Sequence, residues 1–175
     1  MIEHITLRPA QAADVETLCE FWLALMHEHE AMDPRLVLSD DAGVRWKNDY
    51  MHWLEDKTCH MVVATGINGP VGYIRAHRMV ELPVFAPVPE VYVDKVYVIP
   101  EARGQEIGTK LLASVTTWAE ACGAARVRLR VLNANTKGIA FWEREGASAF
   151  YSTYTMDLNP KPDLEKKQET RRIGF

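Results

Sequence analysis

One stretch constrains the fold more than any other. It reads Val96-Tyr97-Val98-Ile99-Pro100-Glu101-Ala102-Arg103-Gly104-Gln105-Glu106-Ile107-Gly108-Thr109-Lys110. A β-branched run from Val91 to Ile99 stops at a proline, and a short polar loop with two glycines opens the next element. Ile107, Leu111, Val115, Trp118 and Cys122 then recur at steps of four, four, three and four. That spacing lays them along one face of a helix from about Glu106 to Cys122. Small residues between a strand and a helix let backbone N–H groups converge on an anion, and the helix N-terminus adds its partial positive charge. Thr109 and Lys110, in the first turn, supply a hydroxyl and an ammonium. The segment reads as a phosphate-binding turn, or else as a tight strand-to-helix connection that binds nothing. Two nucleotide folds fail on spacing. A Walker loop needs one more residue between its glycines and Lys before Thr, and the Rossmann G-x-G-x-x-G is absent.

The rest of the chain alternates in the same way. Ile5 to Pro9 predicts a first strand. Asp14 starts a helix with Leu18, Phe21, Trp22, Leu25 and Met26 at helical spacing, ending near Asp33-Pro34. A second helix covers Asp40 to Glu55. Met61–Ala64 and Val71–Ile74 are strands joined at the turn signal Asn68-Gly69-Pro70. Pro83, Pro87 and Pro89 break the chain before the strand Val91–Ile99, making a lid or a dimer contact. After the Glu106–Cys122 helix come a strand at Val127–Leu132, a helix at Thr136–Glu145, and strands around Ala149 and from Tyr154 to Leu158. This order predicts an α/β three-layer domain over 1–158. The charged tail, 159–175, is expected to be mobile or to dock a partner.

Composition narrows the function. The 175 residues are 47% hydrophobic and 25% charged, which excludes a disordered, collagenous or coiled-coil chain. The net charge of −4 hides an asymmetry, because residues 1–60 carry 12 acids against 5 bases. Strong nucleic-acid binding is not expected from such a balance. The alternation of Arg126, Arg128 and Arg130 with Val127, Leu129 and Val131 reads as the polar face of a strand, with no aromatic platform beside it. Cys19, Cys59 and Cys122 are distant from one another and form no C-x-x-C pair, so neither a disulfide framework nor a zinc site is expected. Cys59-His60 fails as a nucleophile and base, because neighbours on a strand face opposite sides. His27 and His29 diverge too far around a helix to share a metal. With no leader and no apolar run of membrane length, a cytoplasmic protein without membrane contact is expected.

The segment Arg103-Gly104-Gln105-Glu106-Ile107-Gly108 resembles the R/Q-x-x-G-x-G/A signature of the GNAT superfamily of N-acetyltransferases, which follows a strand ending in V-x-P. Glu106 replaces the usual inner glycine. A second block, Asn135 to Ala147, is similar to the family's N-x-x-A-x-x-L-Y-E-K-x-G-F, with Gly138 at the small position and Trp142 at the tyrosine. The resemblance implies a single GNAT-like domain with a mixed, mostly antiparallel central sheet and helices on both faces. It implies an N-acetyltransferase that moves acetyl from acetyl-CoA to a primary amine by direct attack, with no metal. The amine is small, a polyamine, amino-acid-like or on a protein. A homodimer is the simplest symmetric assembly. Two other classes stand beside this one: an acyl-CoA-binding sensor, favoured by Glu106 and Trp142, and an adaptor that uses the tail.

Site residues follow from the same resemblance. Backbone groups of Val96 and Val98 would hold the pantetheine arm. Arg103, Gly104, Gln105, Gly108 and Thr109 would hold the pyrophosphate, with Asn135 bonding the arm from the other side and Trp142 packing against it. Asp94 matches an acid of polyamine-type acetyltransferases, with Glu81 in reserve; strand alternation puts Tyr92, Asp94, Val96 and Val98 on one face. An indole N–H is not a usable acid. The proton for the leaving thiolate therefore falls to Tyr151, to Tyr97 or Tyr154, or to water. The acceptor is expected between the first two helices, where Glu28, Trp46 and Tyr50 offer charge and cation–π attraction to an ammonium.

Overall fold

The computed structural model describes residues 4–79, 88–156 and 158. The Pro-rich loop, including Glu81, falls largely outside that range, as does the tail 159–175. The chain divides into two compact units, Met1–Phe141 and Trp142–Phe175. The first contains β1 (Thr6–Pro9), α1 (Val15–Met32), α2 (Ala42–Glu55), β2 (Cys59–Gly66), β3 (Gly69–Met79), β4 (Glu90–Val98), α3 (Ile107–Ala121) and β5 (Arg126–Leu129), and the boundary falls within α4 (Thr136–Arg144). Short 3-10 turns at Ala12–Asp14 and Pro100–Ala102 precede α1 and the glycine loop.

The strands form one sheet in sequence order. The first three pairings are antiparallel and β4–β5 is parallel, the mixed α/β sheet expected. Alternation sorts its two faces. Met61, Val63, Tyr73 and Tyr97 join Leu18 and Cys19 of α1 and Trp46 and Tyr50 of α2 in one buried cluster. On the other face His60 stacks on Trp118 of α3, with ring centroids 5.0 Å apart. Helices thus cover both faces. Arg8 of β1 makes two 2.7 Å bonds to Asp14, tying the first strand to the start of α1 and holding the Asp14 carboxyl below its ordinary pKa.

Two expectations at the end of the chain change. β5 stops at Leu129 rather than Leu132, because its pairing partner turns away after Val93. In the second unit, residues 147–156 form no strand. Tyr154 and Met156 have the right alternation but remain 91% and 83% exposed, and alternation without a paired edge does not make a strand.

Candidate active site

β4 changes character half-way along. From Glu90 to Val93 it pairs with β3 on one side and β5 on the other. At the next residue the β3 register skips: Arg75 faces Lys95, but Ala76 faces Val93. Asp94 is therefore the extra residue of a β-bulge, which bends and twists the strand. The β5 pairing ends at the same place. Beyond it, the Ile99 N–H donates to the Val71 carbonyl at 2.9 Å, on the β3 side. Alternation then turns the peptide groups of Val98 and Val96 toward the side that β5 has left. The Val98 carbonyl accepts a bond from Arg103 Nε there, at 2.9 Å.

The bulge also corrects the expected grouping of side chains. Tyr92 opposes His77, and Asp94 reaches Arg75 and His77, all on the α1–α2 face. Val96 and Val98 oppose Ile74 and Gly72 on the α3 face. One inserted residue reverses the parity of everything after it, so Asp94 shares a face with Tyr92 but not with the two valines.

The turn that follows bends through two left-handed residues. Gly104 has φ +77, and Glu106 has φ 57 and ψ 14. The left-handed region costs a non-glycine residue about 1 kcal/mol, so Glu106 adopts with strain what the family's glycine adopts freely. Lys110 N–H donates to the Glu106 carbonyl at 3.0 Å, and the amides of Ile107 and Gly108 precede that ladder. Gly108 itself serves a close approach, since a Cβ there would lie 3.1 Å from the Phe141 ring of α4. Arg103 extends to α1, where its guanidinium meets Glu28 at 2.6 Å.

A cavity of about 360 Å³ opens on the α1–α2 face of the same strands. Trp22, Trp46 and Trp53 form its apolar walls, while Tyr73, Arg75, Asp94 and Lys95 bring polar groups from β3 and β4. Asp94 Oδ2 lies 2.7 Å from His77 Nδ1 and 3.2 Å from Arg75. The Arg75 guanidinium sits 3.7 Å over the Trp53 ring. Burial pushes the Lys95 ammonium below its ordinary pKa, against the opposing pull of Asp94.

The site thus combines a strand split at a bulge, a glycine turn, and an aromatic cavity lined by Asp94 and Lys95 of that strand. The model of the Acetyltransferase (GNAT) family matches residues 22–147. The chain belongs to the GNAT family. The same GNAT fold appears in a mutant BH1408 protein from Bacillus halodurans, at TM-score 0.81 and 17% identity, covering 88% of this chain and 99% of that one. It appears in an aminoglycoside N-acetyltransferase, AAC(6')-Iy, in complex with CoA, at TM-score 0.64 and 18% identity over 90% of this chain and 95% of the other. The thialysine N-epsilon-acetyltransferase of Mus musculus is 40% identical over 57 residues, 33% of this chain. The chain spans about a third of the length of the curated relatives it matches (34%).

Within this GNAT domain the expected residues separate. Val96, Val98, Arg103, Gly104 and Gln105 gather at the open edge and the turn, with Gln105 Nε2 on the Glu101 carbonyl at 3.3 Å and Thr109 in the first turn of α3. Asn135 caps α4, its Oδ1 accepting the Gly138 N–H at 2.8 Å. Of the acceptor residues, only Trp46 lines the cavity. Tyr50 is wholly buried in the core, donating to the Gln11 carbonyl at 2.7 Å, and Glu28 is held by Arg103. In the second unit, Trp142 is buried, and Tyr151 is 73% exposed with its ring against Phe150. Sequence reasoning missed Tyr73, Arg75, His77 and Lys95. The signal for the first three was period-two spacing along β3, but only the bulged register shows which β4 residues they meet, Lys95 among them.

Arg126 and Arg128 also acquire a structural task. Both grip the buried Glu90 carboxylate, at 3.2 and 2.8 Å. Among the described residues no group of three or more His, Cys, Asp or Glu side chains is placed to hold a metal, and no helix is long and apolar enough to cross a membrane.

Proposed function

We propose that the chain is an N-acetyltransferase that transfers acetyl from acetyl-CoA to a primary amine by direct attack in a ternary complex. The observation that carries this is the coincidence at Asp94. One bulged residue ends the β4–β5 pairing, exposes the Val96 and Val98 peptide groups, and borders the aromatic cavity.

Those residues suit the cosubstrate chemically. The open β4 edge offers amide hydrogen-bonding groups to the pantetheine arm, and the turn from Arg103 to Thr109 offers backbone N–H groups to the pyrophosphate. Asn135 completes the holding set in this reading. Acetyl-CoA supplies an acyl group activated as a thioester. The protein's own work is positioning and proton handling. Val96 and Val98 hold the arm along the strand. Asp94, held through Oδ2 by His77 and Arg75, attracts the substrate ammonium and accepts its proton directly or through water. The new C–N bond forms as the C–S bond breaks, and the departing thiolate takes a proton from water. The three free cysteines, Cys19, Cys59 and Cys122, support a reducing, cytoplasmic setting. The homodimer rests on symmetry alone.

Steady-state release of free thiol from acetyl-CoA across a panel of primary amines tests the proposal. Acceleration by at least one amine is expected. Acetyl-CoA binding without any acceleration would sink the transferase reading and favour a sensor. Trp142→Tyr is the companion experiment: a large rise in turnover would show that the family's phenol had been missing.

A further inference from the structure

The cavity floor gathers hydrogen-bond donors that lack partners. Tyr73 is wholly buried, and its hydroxyl has no hydrogen-bond partner. The Nε–H of Arg75, two residues along the same face, is also buried and unsatisfied. Lys95 stands opposite Arg75 in the sheet register and lines the same cavity. Its ammonium makes no hydrogen bond or ion pair among the described residues. Neither Arg nor Lys can accept a hydrogen bond, so two of these three groups are satisfied only by an occupant that brings acceptor atoms.

The charge around them points the same way. The other two cations of the lining are already compensated, Arg45 by Asp41 at 2.7 Å and Arg75 by Asp94 at 3.2 Å. Lys95 is left over. The cation–π capacity expected to attract an ammonium is partly spent within the protein, because Arg75 covers the Trp53 face. A diamine would meet Asp94 but leave the Tyr73, Arg75 and Lys95 donors unsatisfied. A carboxylate brings two oxygens and about four lone-pair sites, and charge-assisted bonds to an ammonium and a phenol are the strong kind.

We infer that the acceptor is a carboxylate-bearing amine, an amino acid in the broad sense, whose carboxylate is received by the Tyr73 hydroxyl and the Lys95 ammonium while Asp94 receives its amine. This rests on the transferase reading above.

The test compares matched pairs, each an amino acid and its decarboxylated amine: lysine with 1,5-diaminopentane, and phenylalanine with phenethylamine. Thiol release is measured in the wild type, in Lys95→Met and in Tyr73→Phe, both of which keep side-chain volume, and circular dichroism verifies their folding. In at least one pair the amino acid should have a kcat/KM about ten-fold higher, and that ratio should fall toward one in both variants. Decarboxylated amines that match the amino acids in every pair overturn this inference while leaving the transferase intact. So does a ratio that survives both substitutions. If no member of either pair releases thiol but another primary amine does, this inference falls alone; if acetyl-CoA binds by calorimetry and no amine of the panel releases thiol, the transferase reading falls with it.

Discussion

Two carboxylates on one strand have the same kind of company and different lives. Glu90 and Asp94 each meet two basic side chains, Arg126 and Arg128 for the first and Arg75 and His77 for the second. Glu90 has no exposed side-chain area and its partners come from β5, so it fastens the two strands where they pair. Asp94 retains 19% exposure, its partners come from β3, and it borders a cavity. Only three residues lie between them, and Asp94 is itself the bulge. A buried, doubly held acid closes a sheet; a similarly held acid placed just past the end of pairing is available to a substrate.

That contrast breaks first at Glu90. Removing one member of a buried ion network leaves its partners uncompensated, which costs about 3 kcal/mol. Glu90→Ala should lower the melting temperature by roughly 10 °C for a chain of this size. The kcat of the remaining folded protein at low temperature should stay near wild type. A melting temperature within a degree or two of wild type would mean that Glu90 fastens nothing. Asp94→Asn should do the reverse. The amide is isosteric and keeps the bulge, but it accepts no proton, so kcat/KM should drop about 100-fold, or 2.7 kcal/mol. Acetyl-CoA affinity should hold within two-fold. Unchanged turnover would remove Asp94 from the chemistry and leave it a structural anchor like Glu90.

A smaller effect is expected at the turn beyond the open half. Gly104 sits at φ +77 in open space, so no side chain is excluded by crowding, only by backbone conformation. A β-branched residue there costs roughly 1–2 kcal/mol of left-handed strain. Gly104→Val should weaken acetyl-CoA binding about ten-fold by calorimetry, with the amine KM little altered. An equal rise in both constants would mean the turn and the cavity do not divide the two substrates.

The turn and the cavity also differ in how far the sequence reveals them. The turn is built from consecutive residues. Val96 to Lys110 carry their own strand, break and helix, so local spacing was enough to place the turn, and the resemblance to the family signature marked Glu106 as its odd member. The cavity is assembled from α1, α2, β3 and β4, and its polar floor depends on which residues of β3 and β4 stand opposite one another. Simple alternation kept Val96 and Val98 with Asp94, because nothing in Val93-Asp94-Lys95 announces an extra residue. Tyr50 looked like a lining aromatic and is core, since helical spacing gives a face but not its depth. Glu28 looked available to an amine, but a partner 75 positions away holds it.

Glu106 sharpens the comparison with the finest measurement, because it places two separable penalties in the turn. One is the left-handed backbone, worth about 1 kcal/mol to any non-glycine side chain. The other is a negative charge close to where a pyrophosphate would lie, an interaction of exposed groups that salt screens over about 10 Å at 0.1 M. Glu106→Gly removes both at once, whereas Glu106→Gln removes only the charge. The glycine variant should gain a few degrees in melting temperature and the glutamine variant none, since strain belongs to the free protein. Both should bind acetyl-CoA more tightly at low salt, by a similar factor of about five. Raising the salt should erase the advantage of both variants, because strain carried alike by the free and bound protein cancels from the affinity. If the two variants are indistinguishable in melting temperature, the left-handed residue carries no strain, and the departure from the family's glycine matters through charge alone.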